Sequence, residues 1–279
     1  MKPRSPLLLH NTSLGPVVTC DDRCCRVPLT EWDDVFNRDD IGGFLQQVLE
    51  DERVVNEDYT LLPPIGSQEL WAAGVTYYRS RTARMDEAKE AGGSDFYDRV
   101  YNSERPELFM KATPHRVVGH AQTMRLRADS QWNVPEPELT LALNANASIV
   151  GYTIGNDLSS RDIEGENPLY LPQAKTWDRS AAVGPAIWIT KEPIPRNTEI
   201  LLRINRGGET AFEGATALDQ MKQTFDNLVS YLFREASFPA GCLLMTGTGV
   251  VPGDDFSLQS GDEVNITIEP IGTLVNRIE

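Results

Sequence analysis

Apolar residues along this chain recur far more often in short strand-like runs than in helical stripes. Val17-Val18-Thr19 and Cys25-Arg26-Val27 suggest two short strands near the start. Strand-like runs then dominate: Leu70 to Val75, Leu139 to Leu143, Ser148 to Ile154, Ala186 to Thr190, Glu199 to Asn205 and Glu263 to Ile268. Two stretches break the pattern. Ile41 to Leu49 carries Phe44, Val48 and Leu49 as a helical stripe. Leu218 to Glu235 repeats Met221, Phe225, Leu228, Val229 and Leu232 at helical spacing, with Thr216 and Asp219 placed as a capping box. Leu61-Leu62-Pro63-Pro64 interrupts regular structure and marks a boundary. The pattern predicts an α+β, β-rich protein, with a small N-terminal α+β domain over residues 1–62 and a rolled, strand-dominated domain over 63–279.

The runs at 139–143 and 148–154 flank the turn-prone Asn144-Ala145-Asn146-Ala147 and predict an antiparallel hairpin. Glu136 and Glu138 precede the first strand two residues apart, so their side chains share one face. A solvated strand face is the plain reading, and Pro137 suits an edge strand. The alternative is a divalent cation between the two carboxylates; hard oxygen donors suit Mg²⁺, with Mn²⁺ or Ca²⁺ as substitutes. Asp157 follows the second strand and returns toward Glu138, overshooting by a few residues, so that a bend or a folded-back loop is needed. Three carboxylates then form a facial ligand set open to substrate.

Charge narrows the partners. A net charge of −15 argues against nucleic acid, whose phosphates demand Lys and Arg. It does not count against a small anionic substrate, because a bound cation dominates its local field. No apolar run approaches the roughly 18 residues of a membrane span, and a cytoplasmic protein is expected. Cys20, Cys24, Cys25 and Cys242 lack zinc-ligand spacing and read as free thiols.

Tyr77 to Glu104 is dense in charge, with Arg79, Arg81, Arg84, Lys89 and Arg99 among acids that include Glu87, Glu90, Asp95 and Asp98, and with a Gly92-Gly93 break. It reads either as a polar surface helix or as a lid hinged at the glycines. Arg79, just after a strand, is the candidate to meet a substrate carboxylate.

Several separated runs resemble the fumarylacetoacetate hydrolase superfamily from about Trp71 onward: Glu136-Pro137-Glu138, Gly155 to Asp162, Gln173 to Asp178 with Val183-Gly184-Pro185, Leu244 to Gly249, and Ile271 to Asn276. Within it, Glu104-Arg105-Pro106-Glu107, Lys111-Ala112-Thr113-Pro114 and Asp162 to Gln173 resemble the branch of 2-keto-3-deoxy-D-arabinonate dehydratases. The resemblance implies that family's fold and a 2-keto acid substrate. It further implies Mg²⁺-dependent loss of water from a 2-keto-3-deoxypentonate to give 2,5-dioxopentanoate, in a homodimer or homotetramer. It makes Glu136, Glu138 and Asp157 the metal ligands, Glu107 an acid or base, and Thr248, in the closing segment, a substrate contact. Lys175 is a proton-transfer candidate, since a lysine beside a divalent cation has its pKa lowered. The runner-up is hydrolysis of a carbon–carbon bond in a 1,3-diketo acid, for which the lid would carry a histidine; His10, His115 and His120 all lie outside it. A third reading is a non-catalytic metal-binding protein on the same fold.

Overall fold

Leu139, Leu141 and Leu143 alternate with Glu138, Thr140 and Ala142, and all six are buried. A strand buried on both faces needs a layer on each side, and that requirement organises the molecule. In the computed structural model, which describes residues 5–51, 54–80 and 94–279, the elements run as follows. Strands β1 (Leu7–Thr12), β2 (Gly15–Cys20) and β3 (Arg23–Arg26) precede helices α1 (Trp32–Phe36) and α2 (Ile41–Asp51). Next come β4 (Leu61–Leu62), β5 (Glu69–Gly74), α3 (Ser94–Asn102), β6 (Glu107–Ala112), β7 (Val117–Val118), β8 (Thr123–Met124) and β9 (Asn133–Val134). The central hairpin is β10 (Pro137–Leu143) and β11 (Ile149–Asp157). It leads to β12 (Ser159–Ser160), α4 (Arg161–Glu166), α5 (Leu171–Lys175) and β13 (Ala181–Ile189). The chain closes with β14 (Glu199–Arg206), β15 (Glu209–Ala217), α6 (Phe225–Leu232), β16 (Cys242–Met245), β17 (Glu263–Ile268) and β18 (Gly272–Ile278).

Eleven strands form one mixed sheet along β3-β2-β1-β13-β11-β10-β16-β5-β6, with β4 beside β1 and β7 beside β13. A second sheet of five runs β15-β14-β17-β18-β8. Leu139, Leu141 and Leu143 pack with Ile200, Leu202, Val264 and Ile266 of the second sheet and with Leu228 and Leu232 of α6. Ala142, Leu243 and Met245 belong to the other face, with Phe36 and Leu45 of the N-terminal helices. The boundary expected at residue 62 falls on β4, which pairs with β1 inside the large sheet. No helix of the described residues is long and apolar enough to cross a membrane.

One expectation is corrected. Residues 218–223 are not helical in the α sense: β15 carries Thr216 and Ala217 opposite Ile200 and Glu199, and a short 3-10 turn follows. Met221 bridges Tyr77 and the Lys222 amide donates to the Thr76 carbonyl at 2.9 Å, so this stretch spends its backbone groups on a neighbouring segment. The helix starts at Phe225, where the Thr224 side chain accepts from the Asn227 amide at 3.2 Å. In α2 the buried stripe is Ile41, Leu45, Val48 and Leu49, with Phe44 at its flank under the Arg38 guanidinium.

Candidate active site

The β10–β11 register brings the carboxylates together without any bend. Glu138 faces Gly155 and Pro137 faces Asn156, and the Asp157 amide donates to the Glu136 carbonyl at 3.0 Å. Asp157 therefore stands opposite Glu136, not beyond Glu138. The second strand simply continues through Gly155-Asn156-Asp157, and a register shift at Ala142/Leu143 next to the turn absorbs the count. Residues facing each other across antiparallel strands share a face, so Glu136, Glu138 and Asp157 point to one side. All three are buried, and one ligand atom from each lies within 4.8 Å of the others.

Such a cluster needs positive charge, and three cations supply part of it. Lys175 ends α5 and places Nζ 2.7 Å from Glu136 Oε2, 2.6 Å from Ser159 Oγ and 3.2 Å from Asp157 Oδ2. Arg161 opens α4, with one nitrogen 2.8 Å from Glu136 Oε1 and another 3.4 Å from Glu164 Oε2. Its helix start is held by Asp162, whose carboxylate accepts from Ser130 Oγ at 2.6 Å, Ser160 Oγ at 2.7 Å and the Gln131 amide at 2.7 Å. Burial pushes the Asp162 carboxyl up, but those donors together hold it below its ordinary value. Lys111, from β6, reaches Asp157 Oδ1 at 2.6 Å.

Glu138 is different. Its carboxylate accepts from the Gly247 amide, and among the described residues no cationic side chain lies within ion-pair range of it. Gly247 has φ +94, which a side chain would strain, and a Cβ there would fall 2.0 Å from Thr76 Oγ1. Burial first, then Asp157 and Glu136, push the Glu138 carboxyl well above its usual range. A dication relieves that stress. Three carboxylate oxygens around one point, one of them short of positive charge, fit Mg²⁺.

The other sequence-predicted residues fall as follows. Glu107 shares a face of β6 with Phe109, whose ring centroid lies 5.6 Å from Lys175 Nζ. Glu107 pairs with Gly74, and a Cβ at Gly74 would sit 2.1 Å from Glu107 Oε2, so the glycine makes room for that carboxylate. Thr248 is buried next to Gly247, and its hydroxyl exchanges hydrogen bonds with the backbone of Val250 at 3.2 Å. Arg79 is exposed on the segment after β5. The lid hinge at Gly92-Gly93, with Arg81, Arg84 and Lys89, lies outside the described residues. The histidines make their contacts elsewhere: His10 with Thr19, His115 with Thr113 and His120 with the Val275 amide. Sequence reasoning gave no role to Lys111, Arg161, Glu164 or Ser159, although all four stand inside the runs quoted above for the resemblance.

The model of the fumarylacetoacetate (FAA) hydrolase C-terminal family matches residues 76–279. The chain is 45% identical over 246 residues to the probable 2-keto-3-deoxyxylonate dehydratase of Haloferax volcanii, spanning 86% of this chain and 83% of that protein. It is 42% identical over 225 residues to the 2-dehydro-3-deoxy-D-arabinonate dehydratase of Saccharolobus solfataricus, spanning 80% of this chain and 75% of that one. A solved structure of 2-keto-3-deoxy-D-arabinonate dehydratase with magnesium and 2,5-dioxopentanoate superposes with a TM-score of 0.80 at 33% identity, covering 98% of each chain.

Proposed function

The chain belongs to the fumarylacetoacetate hydrolase family, and on that footing we propose that it is a Mg²⁺-dependent hydro-lyase that converts a 2-keto-3-deoxypentonate to 2,5-dioxopentanoate. The observation that carries the proposal is the buried set of Glu136, Glu138 and Asp157 with Lys175 against two of them. Two dehydratase relatives and a magnesium-bound dehydratase structure support it.

Glu136, Glu138 and Asp157 would hold the metal, which supplies Lewis acidity for the 2-keto group and its carboxylate. The chain's own residues handle protons. Lys175, as the neutral amine that a neighbouring dication favours, takes the C3 proton from a position fixed by Glu136 and Ser159. The C4 hydroxyl then departs as water, protonated by Glu107, which stands on the same strand face as the Phe109 ring beside Lys175. The unsaturated 2-keto acid shifts its double bond to C4–C5 as an enol, and C5 becomes the aldehyde. Arg79 and Thr248 are proposed to meet the substrate carboxylate and hydroxyls. Hydrolysis of a diketo acid is disfavoured because the three histidines are engaged away from the carboxylates.

We further propose a cytoplasmic homodimer or homotetramer, in keeping with four free cysteines and with exposed Leu169 and Tyr170, apolar side chains that an assembly would cover. Proton and carbon NMR of the reaction mixture tests the activity. With 2-keto-3-deoxypentonate and Mg²⁺ a single five-carbon dioxo acid is expected, abolished by a chelator. Turnover of diketo acids to two shorter fragments, with no aldehyde from any keto-deoxy acid, would favour the hydrolase instead.

A further inference from the structure

Lys111 is fully buried, and three oxygens from two parts of the chain surround its ammonium. Nζ lies 2.6 Å from Asp157 Oδ1, donates to the Leu158 carbonyl at 2.8 Å, and donates to the carbonyl of Lys175 itself. Two of its three protons go to main-chain carbonyls, and Asp157 Oδ1 stands against the nitrogen at ion-pair distance. The indole of Trp177 lies 5.1 Å from Nζ by its ring centroid and closes the remaining side. The reach depends on a local irregularity. Leu70 pairs with Ala112 but Trp71 pairs with Met110, so Lys111 is the extra residue of a β-bulge, the device by which a strand re-aims one side chain.

We propose that Lys111 is a positioning residue: it fixes which oxygen of Asp157 faces the cation and clamps the main chain that carries Lys175. The inference rests on the dehydratase reading of the site and deepens it. With Oδ1 engaged by Lys111, Asp157 presents Oδ2, the oxygen on the Lys175 side. The clamp on its own carbonyl holds the Lys175 main chain where Nζ meets Glu136. Lys111 touches no reacting atom. It also stands against the metal electrostatically, because a cation bonded to one ligand lowers the negative charge available to the dication.

That opposition distinguishes positioning from simple structural support. A residue that merely holds the ligands together should lose metal affinity and turnover together when replaced. A clamp that also carries like charge should lose turnover while metal affinity holds or rises. The test uses the full-length holoenzyme with Lys111→Met and Lys111→Arg. Calorimetric titration with Mg²⁺ alone gives affinity, steady-state kinetics give kcat and KM, and thermal melts check the fold. For Lys111→Met we expect kcat to fall by about 30- to 100-fold, KM to stay within about 3-fold, and Mg²⁺ affinity to be unchanged or tighter. Lys111→Arg keeps the charge, but its planar fork cannot meet three acceptors converging on one nitrogen, so kcat should fall while Mg²⁺ affinity stays at the wild-type value. Wild-type kcat in a folded variant would overturn the proposal. So would a parallel loss of kcat and Mg²⁺ affinity, or loss of cooperative folding in both variants, which would make Lys111 a fold residue. Failure of the dehydratase reading looks different: the wild-type protein would bind Mg²⁺ and make no aldehyde.

Discussion

The two ends of the β10–β11 hairpin are equally buried and chemically opposite. Toward the turn, Leu141, Leu143 and Tyr152 join the apolar cluster under the second sheet. At the other end, Glu136, Glu138 and Asp157 are as deeply enclosed, with Lys111, Lys175 and Arg161 around them. Burial at the turn end stabilises the fold outright, at about 1.5–3 kcal/mol for a leucine side chain. Burial at the carboxylate end costs free energy that only counter-charge and hydrogen bonds offset. The same two strands thus carry a stabilising end and a working end. The working end is recognisable because its compensation is incomplete at Glu138.

The comparison breaks first at the turn end. Leu141→Ala should cost about 2–5 kcal/mol of stability in a denaturant melt and leave kcat per folded molecule unchanged. Lys175→Ala should do the reverse, lowering turnover by about two orders of magnitude or more while Mg²⁺ affinity largely survives. Equal stability losses at the two ends, with no selective loss of turnover at Lys175, would erase the distinction. Glu138→Gln tests the incomplete compensation itself. Removing one of three crowded carboxylates should leave the metal-free protein at least as stable as wild type. It should abolish the rise in melting temperature that Mg²⁺ gives the wild-type protein, a rise set by ligand concentration relative to Kd. Retained Mg²⁺ binding by calorimetry would remove Glu138 from the ligand set.

A third region sharpens the contrast. On β1, burial pushes the His10 imidazole down to about 4, against the Pro185 carbonyl, which favours the protonated ring. No carboxylate among the described residues compensates it, so burial favours the neutral ring. The sign follows directly: above about pH 6.5 neither state binds the proton. As pH falls from 6.5 toward 4 the unfolded chain takes it up and the fold does not, so stability is lost. The loss is at most about 3 kcal/mol, less whatever solvent screening spares a half-buried ring. Denaturant melts between pH 7 and 4 should show a slope that His10→Gln flattens. An unchanged slope would place the acid sensitivity elsewhere.

What was legible in the amino-acid order follows the same division. Strands with clean alternation, such as Glu199–Arg206 and Glu263–Ile268, could be read from pattern. Strand β6 could not, because Leu108, Phe109 and Met110 run together and the bulge at Lys111 breaks the period. The helix expected from residue 218 failed for a tertiary reason: Met221 has helical spacing to Phe225 but pairs with Tyr77 instead. In the site, the carboxylates were legible because period two and a hairpin bring them together. Of the cations, Lys175 was singled out but Lys111 and Arg161 were not, since a buried cation looks like a surface one until its partners are known, and those of Lys111 come from residues 157, 158 and 175.

The central claim is that the carboxylate end of this hairpin is completed by a divalent cation. Diffraction from crystals grown with Mn²⁺ in place of Mg²⁺, collected at the manganese absorption edge, tests it most directly. We predict one anomalous peak enclosed by the carboxylate oxygens of Glu136, Glu138 and Asp157, and none there in Glu138→Gln. A structure in which those three side chains contact only Lys175, Lys111, Arg161 and the Gly247 amide, with the manganese elsewhere or absent, would contradict the account.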